Sequence, residues 1–68
     1  MTKLDARGLS CPEPVILFRN AAKAGDNEFE ILVDNHAARE NVTRCGEHLG
    51  YRVSVTEQEG VYTLTMTK

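Results

Sequence analysis

Hydrophobic and polar positions alternate in some parts of this 68-residue chain and follow a helical spacing in others. The alternating segments predict strands at Thr2–Ala6, Glu28–Asp34, Tyr51–Thr56 and Tyr62–Thr67. The helical spacing predicts a first helix that begins at Pro12 and closes at Gly25, and a second that follows Asn35 and ends near Gly50. The predicted order is therefore β-α-β-α-β-β.

Each predicted helix has one apolar face. In the first helix this face carries Pro14, Leu17, Phe18 and Ala21, and in the second Ala38, Val42, Cys45 and Leu49. Each predicted strand likewise has one apolar and one polar side, and Gln58-Glu59-Gly60 supplies a hairpin turn between the last two strands. The economical arrangement is a two-layer α/β sandwich with two helices on one face of a four-stranded mixed sheet. The threonine-rich face of the sheet then meets solvent.

Composition narrows the possible functions. A chain of 7.6 kDa forms one small domain, residues 1–68, which excludes a two-domain enzyme. Eight basic and ten acidic side chains give a net charge of −2, so nucleic acid is not an expected partner. The longest aliphatic and aromatic run, Val15–Phe18, is too short to cross a membrane, and the N-terminus resembles no secretory signal. We therefore expect a cytoplasmic monomer.

Cys11 occupies the junction between the first strand and the first helix. The unsatisfied N–H groups and the dipole of a helix N-terminus favour an anion, so this position predicts a thiol with a lowered pKa. The prolines on either side of Glu13, Pro12 and Pro14, stiffen the turn that holds the sulfur. The alternative interpretation is that Cys11 is a small buried hydrophobe.

Charged residues near this junction have opposite effects on the pKa of the Cys11 thiol. Arg7 adds positive potential, whereas Asp5 and Glu13 oppose it, and the sequence does not show which is nearer to the thiol. Arg7, together with Arg19 and Lys23, is a candidate for steering an acidic partner toward the site. The alternative is that each is ordinary solvated surface.

The other residues with reactive or metal-binding side chains favour structural roles. Cys45 lies on the apolar stripe of the second helix, which favours core packing, although a redox pair with Cys11 stays open as a minor hypothesis. His36 and His48 fit exposed positions near the start and end of that helix. Their spacing with Cys45 does not match a zinc site, and the chain has no glycine-rich phosphate loop, so we predict neither metal nor cofactor.

The run Leu4–Val15, LDARGLSCPEPV, closely resembles the opening of the TusA-like (SirA-like) sulfur-carrier family, whose signature is Cys-Pro-x-Pro at the start of the first helix. The resemblance covers essentially the whole chain. It implies that Cys11 carries sulfane sulfur as a persulfide, with Pro12, Glu13 and Pro14 as the supporting turn. It also implies two kinds of partner, namely a cysteine desulfurase or rhodanese-like donor and a downstream protein that accepts the sulfur.

The second half of the chain looks more like the amino-terminal domain of YedF-type proteins, which are associated with selenium metabolism. The resembling segments are Val33-Asp34-Asn35, Asn41-Val42-x-Arg44 and Gly50-Tyr51-x-Val53. Many family members carry Asp-Pro where this chain has Asn35-His36, and YedF-type proteins normally continue into a DsrE-like domain that these residues do not include. The resemblance thus leaves tRNA thiolation, cofactor sulfur supply and selenium metabolism open.

Two functions from different classes follow. The first is a sulfur relay through Cys11. The second is a non-catalytic interaction or regulatory module in which the Cys-Pro-x-Pro turn is structural. RNA binding is disfavoured, because Phe18, Phe29 and Tyr51 fall on predicted core faces and leave no aromatic platform for bases.

Overall fold

The computed structural model describes residues 1–10 and 12–68, so Cys11 lies outside the described residues. The helices and strands follow the predicted order: β1 Thr2–Asp5, α1 Glu13–Ala22, β2 Glu28–Val33, α2 His36–His48, β3 Arg52–Gln58 and β4 Val61–Thr67. Among the strands, the largest difference from prediction is in β3, which starts one residue later and continues two residues beyond Thr56. This extension completes the ladder with β4 up to the hairpin turn.

The four strands form one mixed sheet in the order β1-β2-β4-β3. β1 runs parallel to β2, whereas β4 pairs antiparallel with both β2 and β3. The crossover that parallel strands require is supplied by α1. Because β1 and β2 are parallel, the loop after β1 and the start of α2 meet at the same edge of the sheet.

Both helices cover the same face of the sheet. Phe29 of β2 and Met66 of β4 are cross-strand partners on that face. Phe29 contacts Phe18 of α1, whereas a side chain at Gly46 of α2 would meet Met66. The predicted two-layer sandwich is confirmed.

The aromatic cluster of Phe18, Phe29 and Tyr51 joins α1 to the sheet. Its three ring pairs are edge-to-face, with centroids 5.4, 5.7 and 5.6 Å apart. All three rings belong to the buried core, as their predicted faces required. The Tyr51 hydroxyl donates a hydrogen bond of 2.9 Å to the main-chain carbonyl of Asp26, which satisfies the one polar atom of the cluster.

The buried stripe of α2 differs from the prediction. Ala38, Val42 and Gly46 are the buried residues of this helix, whereas Cys45 is half-buried and Leu49 is 36% exposed. A Cβ atom at position 46 would lie 2.9 Å from the sulfur of Met66, so only glycine lets α2 approach the sheet this closely. This approach turns Cys45 and Leu49 to the side of the buried stripe.

The opposite face of the sheet is polar and lacks a helical layer. Thr63 and Thr65 of β4 lie there beside Leu32 and Glu30 of β2, all four half-buried. The predicted hairpin turn is also present, with positive φ at both Glu59 and Gly60, as a type I′ turn requires. No helix in residues 1–10 and 12–68 is long and apolar enough to span a membrane.

Candidate functional site: the loop before α1 and the adjoining helices

The loop between β1 and α1 is tied back to the strand that precedes it. The guanidinium of Arg7 donates hydrogen bonds of 2.9 and 2.8 Å to the Asp5 carboxylate, and the Arg7 main-chain N–H donates a third of 3.1 Å. Arg7 thereby lowers the pKa of Asp5 to about 2. The Asp5 carboxylate therefore compensates the positive charge of Arg7, whereas the distance of either group from the Cys11 thiol lies outside the described residues.

Asp34 holds the next residue of the loop. Its carboxylate accepts a hydrogen bond of 2.9 Å from the main-chain N–H of Gly8, which has a φ of +78°. From the sequence, Asp34 is expected only at the end of the strand that precedes α2. The signal that could have revealed its second role is the parallel pairing of β1 and β2, which brings the carboxyl ends of both strands to one edge.

The first helix begins one residue later than predicted. Pro12 is its N-cap, and the main-chain N–H of Glu13 donates a hydrogen bond of 2.8 Å to the carbonyl of Ser10. The Ser10 hydroxyl also donates a long bond of 3.5 Å to the Glu13 carboxylate. Pro14 is fully buried, whereas Pro12 and Glu13 are exposed. The predicted supporting turn therefore has one proline in the core and one in solvent.

Cys11, the predicted sulfur-bearing residue, lies outside the described residues and between Ser10 and Pro12 in the chain. The described part of the site consists of the anchored loop before it and the proline-bounded helix start after it.

The second thiol lies in a groove between the two helices. This groove has a volume of about 490 Å³ and is lined by Val15, Arg19, Asn41, Arg44, Cys45, His48 and Leu49. Burial raises the pKa of the Cys45 thiol, and the positive charge of Arg19 opposes the shift. Cys45 packs against the core as predicted, but it also contributes to a surface groove that the sequence did not reveal.

The two histidines are exposed near the ends of α2, as predicted. His36 lies with one ring nitrogen 3.2 Å from the Tyr62 hydroxyl, while His48 lines the interhelical groove. Within residues 1–10 and 12–68, no cluster of three or more His, Cys, Asp or Glu side chains is arranged to hold a metal ion.

The three candidate steering residues do not form one patch. Arg7 is paired with Asp5 in the loop. Arg19 lies on α1 and Lys23 is the C-cap of that helix, and both line a second hollow next to the groove. Arg19 belongs to both hollows, and Lys23 extends the basic surface along the helix.

Comparison with known proteins gives one consistent result. The family model described as Sulfurtransferase TusA matches residues 2–68. A protein of Methanocaldococcus jannaschii, named as a candidate sulfur carrier, is 37% identical over 60 residues, which is 85% of this chain and 80% of that protein. The crystal structure of a SirA-like protein from Desulfitobacterium hafniense is 35% identical and superposes with a TM-score of 0.87, covering 98% of this chain and 96% of that one.

Proposed function

Because the chain belongs to the TusA sulfurtransferase family, we propose that it carries sulfane sulfur as a persulfide on Cys11 and relays it between two partner proteins. One observation carries the proposal. Cys11 stands directly before Pro12, the N-cap of α1, in a chain that matches the family over residues 2–68.

The surroundings of Cys11 in the chain suit a reactive thiol. The helix dipole places partial positive charge at the start of α1, which favours a thiolate that precedes it. The Glu13 N–H already donates to the Ser10 carbonyl and Pro14 has no N–H, so the dipole, rather than free N–H groups of these two residues, supplies this stabilisation. Arg7 contributes little positive potential, since Asp5 compensates its charge, and Glu13 in the first turn opposes the thiolate. In this proposal the helix start is therefore the main source of stabilisation.

The proposed relay is a pair of thiol exchange steps. The Cys11 thiolate attacks the outer sulfur of a persulfide on the donor; a bond from Cys11 Sγ to that sulfur forms, the donor S–S bond breaks, and the donor leaves as a thiolate. An acceptor thiolate then attacks the outer sulfur on Cys11 in the same way and releases the Cys11 thiolate. No net oxidation occurs and no cofactor is required, because each step exchanges one S–S bond for another.

The test is sulfur loading measured as intact mass. The reduced protein is incubated with a cysteine desulfurase and cysteine, then weighed under non-reducing conditions beside the C11S and C45S variants. We expect a thiol-reversible gain of one sulfur atom in the wild type and in C45S, and none in C11S. Loading that persists in C11S and disappears in C45S would contradict the assignment.

The acceptor pathway is a further part of the proposal. The acceptor could belong to tRNA thiolation, cofactor sulfur supply or selenium metabolism. In each case, an acceptor thiolate would remove the outer sulfur from Cys11 by the same exchange step. If several sulfur and selenium donors all fail to load the protein, the interaction-module function replaces this one, and partner binding should then be unaffected by loss of the thiol.

A further inference from the structure

The groove between the two helices adjoins the second hollow, and we treat the two together as one longer groove across the helical layer. The hollows share Arg19 and Leu49, and the second, of about 190 Å³, extends the groove to Tyr51 and Lys68. We name the combined feature the interhelical groove from here on.

The charge of this groove is opposite to that of the whole chain. The chain has a net charge of −2, yet none of its acidic residues lines the groove. The basic residues that line it are Arg19, Lys23, Arg44, His48 and Lys68. Half of the eight lysines and arginines therefore surround one groove, which favours an anionic occupant.

These basic side chains are not used in ion pairs within the described residues. In residues 1–10 and 12–68, the ion pairs join Arg7 to Asp5 and Arg39 to Glu40. Lys68 instead places its ammonium group 5.0 Å from the centre of the Tyr51 ring, which still leaves its charge uncompensated. The groove therefore presents cationic groups that no carboxylate of these residues neutralises.

The walls between the charges are apolar. Val15 and Leu49 line the first hollow, and Ala22 lines the second. An occupant that matches the groove therefore alternates acidic groups with apolar side chains. An extended peptide meets this requirement, because its side chains leave alternately on two sides and each side can carry both acidic and apolar groups.

We infer that the interhelical groove is the docking site for an extended acidic segment of a protein that exchanges sulfur with this chain. The inference rests on the proposed function and adds the chemistry of the partner. Val15 lines the groove and lies in the first turn of α1, only about 3 Å along the helix axis from Glu13. A partner anchored here is therefore held at the end of α1 that follows Cys11.

RNA is the other polyanion that a basic groove suggests, and the structure favours the peptide. Bases bind proteins largely by stacking on exposed aromatic rings, whereas Tyr51, the aromatic residue that lines the groove, is 6% exposed. The acidic residues on the rest of the surface also repel a long phosphate backbone. A short acidic segment avoids that repulsion, because it contacts the groove alone.

The experiment measures, by anisotropy, the binding of a fluorescent peptide in which pairs of Glu alternate with pairs of Leu, so that each side of the extended chain carries both acidic and apolar groups. The C11S protein is used, so that binding is measured independently of sulfur loading. We expect salt-sensitive binding that the R19Q/R44Q double variant weakens by about tenfold or more. The matched control R52Q removes an exposed arginine from β3, outside the groove, and should change the affinity by less than about twofold.

Cys45 provides a second readout inside the groove. It is the one thiol left in the C11S protein, since the chain has two cysteines. Bound peptide should slow its alkylation by iodoacetamide severalfold, and the double variant should lose this protection. Thermal melts confirm that both arginine variants remain folded.

Three outcomes would overturn the inference: no peptide binding to the C11S protein, an equal loss of affinity in R52Q, or tighter binding of a single-stranded oligouridine of equal charge. None of these changes whether wild-type Cys11 accepts sulfur from a desulfurase. Failure of the docking site is thereby distinguished from failure of the proposed function.

Discussion

Replacement of Phe18 by leucine tests how firmly α1 is held to the sheet. Phe18 is fully buried and contacts Phe29 at a ring-centroid distance of 5.4 Å and Tyr51 at 5.7 Å. Leucine keeps most of the buried apolar surface but removes both edge-to-face contacts. F18L therefore isolates the aromatic geometry from the burial of the side chain.

The expected loss follows from those two contacts. An edge-to-face pair contributes about 0.5–1.5 kcal/mol beyond its buried area, so the loss of two pairs costs about 1–3 kcal/mol. A domain of 68 residues has a total stability of about 3–10 kcal/mol, so the loss is a substantial fraction. The melting temperature should fall by about 4–8 °C for each kcal/mol lost.

Urea denaturation measures the effect as a change in midpoint with an unchanged slope. The matched control is I16A on the same helix, where the side chain is 50% exposed and the expected change is within about 0.5 kcal/mol. A double-mutant cycle of F18L with Y51L should return a coupling of about 0.5–1.5 kcal/mol. A cost for F18L no larger than that of I16A, or a coupling of zero, would refute the argument.

Three other changes give direct readouts. The Asn35 side chain caps α2 by accepting a hydrogen bond of 2.8 Å from the Ala38 N–H, so N35A should lower the free energy of unfolding by about 1 kcal/mol, whereas N35D should retain most of the stability. Because the pKa of Asp5 is lowered from 3.8 to about 2, its contribution to stability is present above pH 3.8 and lost as the pH falls through 2. In an NMR titration, the R7Q variant should return the pKa of Asp5 toward 3.8. Y51F removes a partly buried hydrogen bond and should lower the free energy of unfolding by about 1 kcal/mol in urea denaturation; an unchanged free energy would contradict the contact.

The order of elements and the two-layer arrangement could be predicted because each depends on a local pattern. The alternation of Phe29, Ile31 and Val33 indicated the buried side of β2, and the structure buries all three. The cap of α2 was likewise readable, since Asn35 precedes the helix and its side chain bonds within three residues.

The sequence did not reveal features that depend on the distance between elements. The stripe of α2 was assigned to Cys45 and Leu49 rather than Gly46, because hydrophobicity alone gives no sign that a helix approaches a sheet closely enough to require glycine. The bond from Gly8 to Asp34 joins residues 26 positions apart and depends on the parallel strand pairing. The groove could not be predicted for the same reason, since Arg19 and Arg44 lie on different helices. The assignment of Cys11 as the persulfide carrier stays a prediction that sulfur loading will test.

The close contact between Gly46 and Met66 has a consequence for oxidative damage. Met66 is fully buried, so in the folded protein its sulfur is shielded from peroxide. In an unfolded chain the same sulfur is exposed, and oxidation adds a polar oxygen to a side chain whose native site has no room for even a Cβ atom on the helix side. Native packing therefore has no room for a Met66 side chain that is oxidised before the chain folds, whereas folding first protects Met66 from oxidation.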